Sequence, residues 1–321
     1  MADAKLSALA ANTALAWDDI AYGVDVSDLS QASTGTSKYF TMAVLQSLLG
    51  VVPFNDGRIS TESGVTVSTT DRSSQGTLYF NGTGIVVKYG TYYVPLVINN
   101  QSLAVAGTAG QIKDVFAYTS DGSTLSLEFS NAWTNSTTRS TALARNKFWY
   151  KTGDETRRYI GSVALTGSNI TEDSTGTRYI FNADNRCVRT LAAYYNIATY
   201  NLNTTTWRRP NGQAATAGTN QVKFLIGLSE DAVVANVYAA MFGDPTYFSS
   251  AGISLDWASG APAGNMPYGG FYLQQSALYS GFPGIGTHTL DWIEASAGST
   301  TVYGNQASGY AKSGLTGQVL A

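Results

Sequence analysis

Histidine and cysteine are almost missing from this chain. Its 321 residues include one His, His288, and one Cys, Cys187. A single cysteine excludes an internal disulfide, and a single histidine excludes a His-based metal cluster or a Cys–His dyad within one chain. A Ser-His-Asp triad would have to use His288, which sits in "GIGTHTLDW" just ahead of a run that reads as a strand; a turn or strand-end residue is the simpler reading. Charge is scarce too: 13% of residues are Asp, Glu, Lys or Arg, against about 25% in an ordinary globular chain. Net charge is −3, and the nearest things to a basic run are Arg157-Arg158 and Arg208-Arg209, so a phosphate-tracking footprint is absent and nucleic acid is not an expected partner. No stretch of about 18 consecutive apolar residues occurs, so no membrane insertion is expected. No basic segment followed by an apolar one opens the chain, so no secretory signal is expected and the lone Cys187 fits maturation in a reducing cytoplasm. GxSxG, GxxxxGK[ST] and EF-hand signatures are absent, as is any internal repeat.

What is present is apolar and hydroxyl-rich. Hydrophobic residues make up 44%, with 33 Gly and 20 Tyr. The mixture suits a β-rich protein with many turns. Low charge fits two readings: a surface shared with other subunits, since interface centres shed charge, or a polar uncharged skin. "DGSTLSLEF" starts with an Asp-Gly turn and then alternates Leu125, Leu127 and Phe129 with Ser126 and Glu128, the period of a half-buried strand. "TLYFNGTGIVVKYGTYYVPLVINN", "RRYIGSVAL", "TRYIFNAD", "HTLDWIEA" and "STTVYGN" look similar, and in "QVKFLIGL" Val222, Phe224 and Ile226 share one face. "SEDAVVANVYAAMFG" carries both a helical stripe (Val234, Val237, Tyr238, Met241, Phe242) and a strand alternation; the β context favours the strand. The predicted fold is all-β, a β-sandwich or jelly-roll-like main domain.

The first fifty residues differ. Leu6, Leu9, Leu15, Trp17, Ile20, Tyr22 and Val24 follow neither one clean helical period nor one clean strand period. "TSKYFTMAVLQSLLG" then reads as a short helix with Thr41 as cap, Val44, Leu45, Leu48 and Leu49 as stripe, and Gly50 as terminator. The Pro- and Gly-bearing "VVPFNDGR" marks a boundary. The expected organisation is a small N-terminal module with one short helix over 1–52 and a main domain over 53–321, with a second candidate boundary near 190–220. The apolar residues of the module, Leu6, Leu9, Leu15, Trp17, Ile20, Tyr22, Val24, Tyr39, Phe40, Leu45 and Leu48, are expected to bury themselves on another protein.

Four acidic pairs could be offered as glycosidase carboxylates: Asp154/Glu155, Glu172/Asp173, Glu230/Asp231 and Asp291/Glu294. Turn formation and salt bridging explain such pairs more simply. Trp257, Tyr268, Tyr272 and Trp292 could stack on sugars, though cores use the same residues. Two Gly-rich loops, 208–221 and 258–270, offer Arg208, Asn211 and Tyr268, with Trp257 just ahead of the second, as candidate surface-contact residues. No enzyme activity, catalytic residue, metal site or cofactor is expected.

Two regions resemble proteins of tailed bacteriophages. "KLSALAANTALAWDDIAYGVDVSD…TSKYFTMAVLQSLL" is similar to a module that opens many phage tail fibres and spikes: Lys5, Leu6, Ser7, Leu9, Leu15, Asp19, Val24, Asp25, and a helix led by Thr41 with Leu45. About 90–190, with "YYVPLV", "DVFAYTSDGSTLSLEFSNAWTNSTTRSTAL", "WYKTGDETRRYIGSV" and "TEDSTGTRYIFNADNR", resembles a family of phage structural proteins, as does "SGYAKSGLTGQVLA". The resemblance implies a virion structural protein, assembled in the host bacterial cytoplasm and anchored through its N-terminus to capsid, portal, adaptor or tail proteins. By analogy with such fibres it implies a homo-oligomer, a trimer, whose β domain contacts the host surface, a glycan among the candidates. Two alternatives stand beside it: a capsid decoration or tail connector with no receptor role, and a polysaccharide depolymerase.

Overall fold

A computed structural model of the chain describes residues 20–25, 36–41, 54–99, 101–244, 246–257, 263, 273–304 and 313–321. Ahead of residue 54, strands β1 (Ile20–Asp25) and β2 (Thr36–Thr41) form an antiparallel pair, with Tyr22 opposite Tyr39 and Ala21 opposite Phe40. This corrects the reading of residues 20–25 as without a strand period. Over Ile20-Ala21-Tyr22-Gly23-Val24 large and small residues alternate, a local period of two that the longer window obscured. Of the anchoring residues, Leu6, Leu9, Leu15, Trp17, Leu45 and Leu48 lie outside the described residues. So does the helix expected after Thr41.

From residue 54 the described chain is nearly all-β. The first half contains β3 (Arg58–Ser60), β4 (Arg72–Gln75), β5 (Thr77–Asn81), β6 (Gly84–Tyr89), β7 (Tyr92–Val97), β8 (Gln101–Ala104), β9 (Ile112–Tyr118), β10 (Ser126–Phe129), β11 (Leu143–Arg145), β12 (Trp149–Lys151), β13 (Asp154–Gly167), β14 (Ile170–Asp173), β15 (Thr177–Arg178) and β16 (Ile180–Asn182). Its spine is β13, which pairs antiparallel with β9 on one edge and with β12, β16 and β14 in turn on the other. A sheet of β3, β5 and β8 and the β6–β7 hairpin pack against it. Ile59, Phe80, Ile85, Val87, Val115, Ile160 and Val163 form the core between these layers. Gly161 is required there: a Cβ would stand 2.1 Å from the Phe181 carbonyl oxygen and 2.8 Å from Ile59 Cδ1.

The second half contains β17 (Val188–Ala193), β18 (Thr199–Arg208), β19 (Gln221–Ile226), β20 (Val233–Gly243), β21 (Ser249–Leu255), β22 (Leu273–Gly281), β23 (Gly286–Tyr303) and β24 (Gly314–Leu320). Here the spine is β23, eighteen residues long, which pairs antiparallel with β18, β19, β20 and β21 along its length. β20 also pairs with β22 and β24, and β24 with β17. Among the described residues the helical element is a 3-10 turn at Pro210–Gly212. The ambiguous 230–242 segment is strand β20. Val233, Ala235, Val237, Ala239 and Met241 are all buried on one face of it, and that period of two outweighs the helical stripe. Val222, Phe224 and Ile226 share the same core, as their spacing predicted, while Leu225 faces the other way.

One apolar cluster draws on residues 59–180 and a second on 191–321. A third joins them: Ile112, Phe116, Trp133, Tyr159 and Phe181 from the first half, Leu225 and Leu228 from the second. Arg139 reinforces the junction. Its guanidinium lies over Trp133, pairs with Asp114 at 3.0 Å and donates to the Gly227 carbonyl. Burial pushes the Asp114 carboxyl above its ordinary range, and Arg139 opposes that rise.

Candidate functional site

Of the nominated residues, Arg208 ends strand β18 rather than lying in a loop and pairs with Glu294 of β23, Asn211 donates its backbone N–H to the same Glu294, and Trp257 stacks on Arg209. Tyr268 lies outside the described residues. These placements start from local backbone chemistry. In "RRPNG", Pro210 opens the 3-10 turn, and Asn211 (φ 53°) and Gly212 (φ 66°) take consecutive left-handed conformations, which Asn and Gly tolerate best. In "DWASG", Asp256 (φ 51°) and Trp257 (φ 47°) do the same. A left-handed Trp is uncommon and persists only where its surroundings hold it. Here they do: the Asp256 carboxylate accepts from Thr289 N at 2.8 Å and pairs with His288 Nδ1 at 2.9 Å, and Asp256 N donates to the Thr289 carbonyl. His288 is buried, 5.7 Å from the Phe224 ring, and braces this turn.

Beneath both loops sit Asp291 and Glu294, each fully buried. Asp291 Oδ1 accepts from Arg209 Nε at 2.5 Å and from Gln221 Nε2 at 2.9 Å. Arg209 also stacks on the indole of Trp257, 3.7 Å from the ring centroid, so one guanidinium links the acid below to the aromatic above. Glu294 Oε1 accepts from the backbone N–H of Asn211 at 2.9 Å, and Oε2 accepts from the Tyr200 hydroxyl. Arg208 Nε lies 3.4 Å from Glu294 Oε1, an ion pair rather than a well-formed hydrogen bond. Burial raises the Glu294 carboxyl to about 7, even against the lowering effect of the Tyr200, Asn211 and Arg208 contacts. Burial likewise raises Asp291, opposed chiefly by Arg209, and drives the Tyr200 hydroxyl well above its usual range.

These carboxylates are posts that hold the loops. Both Glu294 oxygens are occupied from within the chain, and Asp291 has Arg209, Gln221 and, at 3.3 Å, the Thr289 hydroxyl around it. The other acidic pairs are engaged as well. Asp173 takes Arg178 and Arg189 at 2.8 Å each, Glu155 takes Lys88, Tyr93 and Asn146, and Arg186 bridges Glu230 and Asp231. No group of three His, Cys, Asp or Glu side chains able to hold a metal occurs among the described residues.

Half-buried residues form two groups here: Trp257 with Arg209 above Asp291, and Arg208 with Asn211 beside Glu294, where Tyr195 accepts from Asn211 Nδ2 at 3.3 Å. Half-buried Trp207 lies over Gly252, where a Cβ would sit 3.5 Å from its ring. Aromatic faces next to planar guanidinium and amide donors suit the stacking and hydrogen bonding of a polar ring such as a sugar. Trp292, offered above as a stacking residue, is fully buried in the second core; its place in mid-strand β23, between sheets, makes it packing. Tyr272 lies outside the described residues. Tyr195, Tyr200 and Trp207 were not singled out from sequence. For Trp207 the signal was present in its adjacency to Arg208-Arg209.

No protein-family model matches the chain, and no curated protein matches it. Among solved structures, the chain is similar to a Bacillus thuringiensis Cry1Da tryptic core variant, at 8% identity and TM-score 0.21, covering 95% of this chain and 58% of that one. It is also similar to the exo-beta-1,3-galactanase Pc1,3Gal43A of Phanerochaete chrysosporium, at 13% identity and TM-score 0.16, covering 94% of this chain and 78% of that one. The chain thus spans well under two thirds of the length of the Cry1Da core. Likeness at these scores carries no argument about fold or activity.

Proposed function

We propose that the chain is a structural protein of a tailed-phage particle, a homotrimeric fibre or spike held to the virion through residues 1–52 and presenting its β domain to a glycan on the host surface. The attachment half of this reading rests on the resemblance of the opening segment and of residues 90–190 to phage virion proteins. The observation that carries the host-contact half is the bracing along β23: Arg209 links Trp257 to buried Asp291, and Asn211 and Arg208 are tied to buried Glu294. Binding surfaces need such rigidity, because a preordered contact loses less entropy on association. A chemistry-free appendage also fits the way the acidic pairs are consumed by internal partners.

Two measurements test the halves separately. A chain lacking residues 2–52, supplied in place of the full-length one, is expected to accumulate in soluble form yet be absent from purified particles; its incorporation would sink the attachment reading. Purified full-length protein is expected to inhibit phage adsorption, and Trp257→Ala to weaken that inhibition about tenfold, the loss of one aromatic stacking contact. Equal inhibition by both proteins would remove Trp257 from host contact. No inhibition by the parent would favour a capsid decoration or tail connector instead.

A further inference from the structure

The second half of the molecule exposes a sheet face without a single charge. The register of β22, β20, β24 and β17 places Leu278 opposite Asn236 and Ser280 and Gln318 opposite Val234. Ser276 stands opposite Tyr238, Thr190 opposite Gln318, and Val188 opposite Leu320. Directly opposed residues share a face. The alternate positions, Val233, Ala235, Val237, Ala277, Leu315, Val319 and Leu191, fill the core, so these residues form the outer side. On it Val188 is 57% exposed, Leu278 46%, Val234 44% and Tyr238 41%. Charged residues are rare in this region: among the described residues between 232 and 321 they are Asp244, Asp256, Asp291 and Glu294, none of which lies on this face, and Arg189 of β17 is buried on the opposite side. A sheet face that stays in water normally carries charge, which blocks unwanted association; exposed apolar residues among uncharged polar ones are the composition of an interface centre.

We infer that this face packs against further copies of the same chain. It carries neither sign of charge, so a copy meets no like-charge repulsion, and it offers no charge by which to select a different partner. Ser276, Ser280, Asn236, Thr190 and Gln318 supply hydrogen-bonding groups between the apolar residues without a desolvated ion. The size is sufficient: four strands spaced about 4.8 Å apart and about eight residues long at about 3.3 Å each give roughly 500 Å² per copy, or about 1,000 Å² for a pair, the lower bound of a specific interface. The inference rests on reading the chain as a homo-oligomer and assigns the surface that makes it one.

The test is the solution mass of the full-length protein at micromolar concentration by light scattering after size exclusion. The parent is expected to run at a multiple of its 34.0 kDa. The double variant Val234→Lys/Leu278→Lys is expected to run as a monomer with unchanged circular dichroism and melting temperature. Val97→Lys, at a more exposed apolar site (65%) in the first half, should retain the parent mass. If the double variant loses its fold, Ser276→Lys on the same face replaces it with the same expectation. A folded variant that stays multimeric overturns this surface and leaves the oligomeric reading standing. A monomeric parent overturns both.

Discussion

The two halves of the β domain use one kind of architecture and opposite kinds of surface. Residues 54–186 are threaded with ion pairs: Lys88–Glu155, Arg157–Glu128, Arg139–Asp114, Arg158–Asp184 and Arg178–Asp173, the last joined by Arg189 from β17 of the second half. Residues 232–321 place two of their few charges, Asp291 and Glu294, at the bottom of the sandwich and present an outer face that has none. Each half has a long spine strand with partners on both edges, so strand architecture does not account for the difference. It lies in what each surface meets: the partly exposed Lys88–Glu155 and Arg157–Glu128 pairs keep charge on the first half's surface, whereas an uncharged sheet face suits contact with protein.

The contrast can be attacked experimentally, beginning with its largest consequences. Asp173→Asn leaves the buried guanidiniums of Arg178 and Arg189 without their shared anion and should cost about 3–5 kcal/mol in chemical denaturation. Trp292→Ala removes the largest fully buried side chain of the second half and should cost a similar 3–5 kcal/mol. Because Leu225, Phe181 and Tyr159 join the halves, both variants should shift one shared unfolding transition; two separate transitions would show that the halves fold independently.

A pH series isolates the buried acids. The folded state holds the Glu294 proton up to about 7 whereas the unfolded chain releases it near 4.5, so the folded state binds more protons across that window. Stability therefore falls as pH rises from about 4.5 to about 7 and levels off above, and Asp291, raised by the same burial, acts in the same direction. Glu294→Gln should flatten the fall, seen as a melting temperature that gains on the parent with rising pH. A parallel pair of curves would refute the assignment. The smallest effect belongs to the exposed pairs of the first half. Arg157→Ala breaks the contact with Glu128 at a cost of about 0.2–1 kcal/mol, and added salt should shrink that difference.

Much of the fold could be read without coordinates. Strand β19 and the buried side of β20 follow from alternation, because a pleated chain sends successive side chains to opposite faces whatever its neighbours are. The turn at Asn211-Gly212 follows from residues that tolerate left-handed backbone. The site was legible only in pieces. Arg208, Asn211 and Trp257 stood out as loop residues, and Asp291 and Glu294 as an acidic pair, but nothing local joined the two groups. Arg209 meets Asp291 across 82 positions of sequence, and Asn211 meets Glu294 across 83. Trp292 shows the same limit from the other side: an aromatic in a strand reads alike whether it stacks on a ligand or fills a core.

By itself, then, the amino-acid order determined the β class, the absence of a histidine or cysteine cluster, the polar uncharged character and the turn chemistry, since each depends on residues within a few positions of one another. Tertiary structure alone decided that two acids lie beneath two loops, that His288 props a left-handed turn, and that the uncharged residues of four strands share a single face. Those outcomes depend on which strands become neighbours, and that is set by burying apolar faces drawn from the whole chain rather than by any local preference.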